Sequence, residues 1–123
     1  MSTWSSTEHR AATSPEEVHV VTRRRDGSLR NPRIIWVVPV GDRVFIRSTN
    51  GRGADWFRWA LATGTGQLLA GDTAYDVTFE ETSAADLDAV DAAYRSKYGR
   101  YKSIVDHLVG PDPRAATLEL LRA

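Results

Sequence analysis

RIIWVVPVGDRVFIRSTNGRG, residues 33–53, decides how the rest of the chain is read. Past its leading arginine, the run Arg33 to Val40 is apolar on both faces, which predicts a strand that is central and covered twice. Gly41-Asp42 makes a turn, and Arg43 to Thr49 is the next strand. Asn50-Gly51-Arg52-Gly53 is a loop. On the N-terminal side, Val18 to Arg25 alternates in the manner of a strand and ends at Asp26-Gly27. Asp-Gly between apolar runs signals a hairpin, because glycine tolerates the positive φ of a tight turn. Three antiparallel strands therefore follow one another as a meander.

Beyond the loop, Asp55 to Ala62 predicts a short helix with Trp56, Trp59 and Ala60 at helical spacing, stopped at Gly64-Thr65-Gly66. Gln67 to Ala70 and Ala74 to Glu80 are further strands. Ser83 to Tyr98 is the clearest helix, with Leu87, Val90, Tyr94 and Tyr98 on one face. Ser83 and Asp86 resemble a capping box at its start. Ser103 to Val109 is a second short helix with Ser103 as its cap, and Thr117 to Leu121 is a strand or a helical tail, the strand being favoured because it could close the sheet. The fold class is mainly β (α+β): a short antiparallel barrel with a few short helices. Residues 1–16, rich in Ser, Thr and Ala, read as a flexible N-terminal lead. Residues 17–123 form the domain, and Trp4 in the lead docks on the body or on a partner.

The chain has 123 residues, enough for one domain that hides roughly two-thirds of its extended surface. It has no cysteine, which removes disulfides, thiolate metal sites and redox thiols and suits a reducing, cytoplasmic compartment. No run reaches the roughly 18 apolar residues of a membrane span, and Met1 to Ser14 lacks the apolar core of a secretory signal. Net charge is zero, but residues 1–60 carry ten arginines against six acidic residues. A neutral total speaks against nucleic acid as a general partner, while a local anion site stays open. Arg23-Arg24-Arg25 lies in a strand, where its middle member points away from the other two, and reads as a solvated edge.

The segment Arg47-Ser48-Thr49-Asn50-Gly51-Arg52-Gly53 has the parts of a phosphate site. Arg47 and Arg52 supply charge, Ser48 and Thr49 supply hydroxyls, the glycines let backbone approach, and a helix N-terminus follows. Asp55 in the first helical turn opposes an anion there. The plain alternative is a polar turn between strand and helix. Trp36, Trp56 and Trp59 could line a slot for a flat ring, although core packing is the favoured reading for Trp59 and for Trp36 in its central strand. His9, His19 and His107 show no metal spacing, so no metal site is expected. Neither Gly51-Arg52-Gly53 nor Gly64-Thr65-Gly66 completes a dinucleotide fingerprint, and there is no nucleophile elbow.

The order of IIWVV, GDRVFIRSTNGR, a Trp-containing short helix, DVTFE and AYRSKY resembles a bacterial family known as domain of unknown function 2255, over about residues 16–120. That family is similar to the FMN-binding split barrels, which include pyridoxamine phosphate oxidases and deazaflavin-dependent nitroreductases. The resemblance implies a six-stranded antiparallel split β-barrel with two or three short helices, a homodimer, and FMN or coenzyme F420 as cofactor of an oxidoreductase. By position it implies that Arg33 lies near the cofactor and that Ser48, Thr49 and Arg52 meet its phosphate, with Trp56 and Arg58 flanking it; Arg47 joins these cofactor-binding residues from the phosphate reading of the segment above. Asp55 stands where the family usually places a basic residue. The competing reading is a non-catalytic split barrel that binds a small ligand or a protein partner.

Overall fold

The computed structural model describes residues 3–123 as a nearly closed, mainly antiparallel barrel of seven strands with five short helices. Strands β1 (Val18–Thr22) and β2 (Arg33–Ile35) form the first hairpin, with Gly27 at φ +89° in its turn. Strands β3 (Val37–Val40) and β4 (Arg43–Arg47) form the second. Strands β5 (Thr65–Ala70), β6 (Thr73–Glu81) and β7 (Thr117–Arg122) complete the sheet. The order across the sheet is β2-β1-β5-β6-β7-β4-β3.

The expected six strands become seven because the run 33–40 breaks at Trp36. Arg33–Ile35 pairs with β1 at one end of the sheet, and Val37–Val40 pairs with β4 at the other. One residue thus joins the two ends, and a strand that changes partners at its midpoint wraps the sheet into a barrel. This corrects the expectation that the whole run is covered on both faces. It holds for Val37, which points into the barrel, and for Val38, which points out onto helices. It fails for Ile34, which is 63% exposed. Pro39 is accommodated because β3 has no strand on its far side.

Two apolar clusters result. Inside the barrel lie Val18, Val20, Val37, Val44, Ile46, Leu68, Val77, Leu118 and Leu120, alternate residues of their strands. Outside it, Val38 and Phe45 meet Val90, Tyr94 and Tyr98 of α3 (Leu87–Tyr98) and Val105 and Leu108 of α4 (Lys102–Leu108). Helix α2 (Asp55–Thr63) ends at Gly64 in the left-handed conformation, as expected, and buries Phe57 and Ala60. A short helix α5 (Pro111–Arg114) precedes β7.

The capping box does not form: Ser83 gives no side-chain bond to the helix backbone, and Asp86 turns instead to Arg43. Ser103 does not cap α4 either, since that helix starts at Lys102 with Tyr101 before it. Arg43 bonds both Asp86 and Glu119, tying α3 to β4 and β7. Its guanidinium holds the Asp86 carboxyl below the ordinary carboxylate range. The stabilisation is therefore fully present above that range and is lost as pH falls through the lowered value. In urea melts, wild type should exceed Asp86→Asn in stability at pH 7, and the gap should close on acidification.

The N-terminal segment is more structured than a flexible lead. Helix α1 (Ser6–Thr13) is capped by Ser5, whose hydroxyl accepts from the Glu8 amide, and it buries Ala12. Trp4 docks on the body, its Nε1–H donating to the Leu120 carbonyl at 2.9 Å. Lys97 of α3 donates to the carbonyls of Thr13, Pro15 and Val37 at 2.6–2.7 Å, fastening the segment to the barrel. Burial pushes the Lys97 ammonium down to about 8. The polar composition hid these contacts, because a single Trp, a single Ala and one lysine carry them.

Candidate functional site

A cavity of about 810 Å³ opens between the β2–β3 junction, the bend after β4, the start of α2, and helices α3 and α4. That volume falls within the range of small-molecule sites, roughly 300–1,000 Å³. Arg33, Ile34 and Trp36 form one side, Ser48 to Asn50 and Gly53 to Trp56 another, and Tyr94, Ile104 and Leu108 the third.

Trp36 lines the cavity as an aromatic wall while its other contacts pack it against the outer apolar cluster. Its indole stacks flat on Tyr98 at 4.1 Å with an interplanar angle of 1°, and Tyr101 leans on it at 5.3 Å. The Tyr94 hydroxyl donates to the Trp36 carbonyl at 2.9 Å. The break in the strand and this packing together turn Trp36 to the cavity. Trp56 also lines it and meets Phe57 edge-on at 5.9 Å. Trp59 does not line it and lies under Arg30 instead.

The bend after β4 contributes main chain and hydroxyls. Gly51, at φ +75° and facing Asp112, allows the tight 3-10 turn Gly51–Gly53. The Ser48 amide donates to Ala116 and its carbonyl accepts from Gly51. The Ser48 side chain is wholly buried, borders the cavity, and its Oγ has no hydrogen-bond partner. Buried hydroxyls are usually paired, and one without a protein partner beside a cavity is open to a water, an ion or a ligand atom. Thr49 is exposed, and its carbonyl accepts the Nε2–H of His107 from α4 at 2.7 Å.

Of the residues expected to touch a cofactor, the structure brings Arg33, Arg47, Ser48, Thr49 and Trp56 to the cavity. Arg52 and Arg58 lie outside it. Arg52 reaches away to Glu81 and to the Ala115 carbonyl at 2.9 Å, and Arg58 pairs with Asp55. Arg47 borders the cavity but has little to offer an anion. It donates to Thr117 Oγ1 at 2.8 Å, to Asp91 Oδ1, and to the carbonyls of Leu108 and Leu87 at 3.1 and 3.2 Å. Its role is to hold β4, β7, α3 and α4 around the cavity floor. Among the described residues the ionisable groups facing the cavity are Arg33, Arg47, Asp55 and Tyr94. Burial pushes the Tyr94 phenol up, so it stays neutral at physiological pH. No group of three potential metal ligands occurs among the described residues.

A family profile described as an uncharacterized protein conserved in bacteria (DUF2255) matches residues 9–120. The chain belongs to the DUF2255 family. No curated protein is detectably similar to it in sequence. Among solved structures, this DUF2255 chain is similar to a conserved hypothetical protein of Mycobacterium tuberculosis, with a TM-score of 0.69 and 14% identity, covering 98% of this chain and 81% of the other. It is also similar to an F420-H2 dependent reductase (FDR-A), with a TM-score of 0.64 and 14% identity, covering 87% and 94%. A putative pyridoxamine 5'-phosphate oxidase of Listeria innocua superimposes with a TM-score of 0.55 and 7% identity, covering 92% and 86%. At these identities the likeness establishes the split-barrel fold of the DUF2255 chain. No helix among the described residues is long and apolar enough to cross a membrane.

Proposed function

We propose that this protein binds FMN or coenzyme F420 in the cavity beside Trp36 and serves as a cytoplasmic, homodimeric oxidoreductase. The observation that carries the reading is the Ser48 hydroxyl, buried without a partner next to a flat aromatic wall. A polar atom left unpaired in this way costs about 1–3 kcal/mol, which a ligand that bonds it recovers. The fold shared with an F420-H2 dependent reductase supports the same cofactor class.

In this reading the bound flavin supplies the hydride chemistry. The protein's residues position it: Trp36 offers a face to the ring, Ser48 and Thr49 offer hydroxyls, and Trp56 and Arg33 border the opening. The exposed Ile34 and Ile104 beside the mouth, at 63% and 47% exposure, suit burial against a second copy.

Titration of the purified protein with FMN and with F420, followed by absorbance and tryptophan quenching, should give micromolar or tighter binding. Ser48→Ala should act with opposite signs. It should leave the free protein as stable as wild type or more so by about 1 kcal/mol, since an unsatisfied hydroxyl is gone, yet weaken cofactor binding by about tenfold. No spectral change with either cofactor would remove the reading and leave a ligand-binding module without redox chemistry.

A further inference from the structure

We propose that the anion subsite for a ligand of this cavity lies at its rim on the β1–β2 hairpin, at Arg33 in the lining with Arg30 and Trp59 just outside it, and not at the bend after β4. The ligand group it takes is a phosphate, and the inference rests on the flavin reading only for the ring that fills the cavity.

Every arginine from Arg43 onward sits in an ion pair with a carboxylate. The segment 23–33 is different. It holds five arginines and one acidic residue, Asp26, whose carboxylate is taken by the amide and hydroxyl of Ser28. Among the described residues none of the five forms an ion pair at contact distance, although Arg24 acts through space on Asp26, and Arg23 and Arg24 donate to the Gly27 and Leu29 carbonyls. Five of the cations outside contact ion pairs are thus gathered on one hairpin, beside the mouth, with Arg10 of α1 and Lys97 of α3 elsewhere.

Two of these arginines are placed to receive a ligand. Arg33 is exposed, lines the cavity and lies 5.7 Å from the Trp59 ring centroid. Arg30 lies over the same ring at 3.8 Å, and its Nε is shielded from solvent with no acceptor. A guanidinium held against an indole is restrained, so its donors lose less freedom on bonding a phosphate. The bend offers no comparable cation. Arg47, Arg52 and Arg58 are bonded within the protein, and the Asp55 carboxylate stands at the start of α2. The ring therefore enters with its phosphate arm turned toward the hairpin.

Affinities for riboflavin and FMN, which differ by the phosphate alone, test this by fluorescence titration. In wild type FMN should bind at least about tenfold more tightly, the worth of one charge-assisted contact. Arg33→Ala, at an exposed position, and Arg30→Ala should each erase most of that preference, while Arg52→Ala leaves it intact. An unchanged preference in both hairpin variants, or its loss in Arg52→Ala, overturns the proposal while the flavin reading stands. Inorganic pyrophosphate supplies a second readout that needs no flavin. It should shift the side-chain Nε–H resonances of Arg30 and Arg33 and not that of Arg52. Such shifts without binding of any flavin uphold the subsite and remove the flavin reading; shifts at Arg52 alone, or none, overturn the subsite.

Discussion

Arg47→Met should cost the protein about 3–5 kcal/mol of stability, the range for breaking a buried ion pair from one side. The Arg47 side chain is wholly buried and is shared among four partners on three elements, α3, α4 and β7. Methionine fills much of the volume but supplies no donors. The Leu87 and Leu108 carbonyls lose a partner, and Asp91 is left with Arg114 alone. Lysine is not a conservative replacement, because a single ammonium cannot span acceptors that a planar fork reaches together. Urea denaturation should show the loss for both variants, with methionine the more severe. A cost below about 1 kcal/mol for Arg47→Met would mean that the arginine is free for a ligand after all.

Gly66→Ala is the second large effect, at about 3 kcal/mol, the upper part of the overpacking range. Gly66 pairs with Thr22 on one side and Val77 on the other in the middle of the sheet. A Cβ there would come within 2.1 Å of the Val21 carbonyl oxygen and 2.8 Å of the Phe79 ring. The ring can turn aside, but the carbonyl belongs to the β1 backbone and moves only if the β1–β5 pairing opens. Thermal unfolding and amide exchange would separate the two consequences: a lower Tm, and faster exchange at β1 in particular. By contrast, Gly53→Ala meets nothing within 4 Å and should be nearly silent.

Much of the barrel was legible in the sequence, because period-two alternation and Asp-Gly or Gly-Asp turns are local signals. The Gly64 stop and the C-terminal strand at Thr117–Arg122 came from the same local chemistry. The break at Trp36 was not legible, since an unbroken apolar run has the same pattern whether it keeps one partner strand or exchanges it. The site divides in the same way. Ser48, Thr49 and Trp56 follow a strand end and a helix start, and sequence placed them at the cavity. What occupies Arg47 and Arg52 could not be read, because Asp91, Thr117 and Glu81 lie 29 to 70 residues away along the chain. Charge without its partner looks available, and in a folded chain most of it is spoken for.

The position of β7 between β6 and β4 has a consequence for biosynthesis. Until residues 117–122 leave the ribosome, the nascent polypeptide holds two pieces with no ladder between them, linked through Trp36: a four-stranded ribbon and a β3–β4 hairpin. Each would display raw main-chain edges to the crowded cell. The six-residue β7 covers the β6 and β4 edges at once, so two of the exposed edges vanish in a single step and only those of β2 and β3 are left.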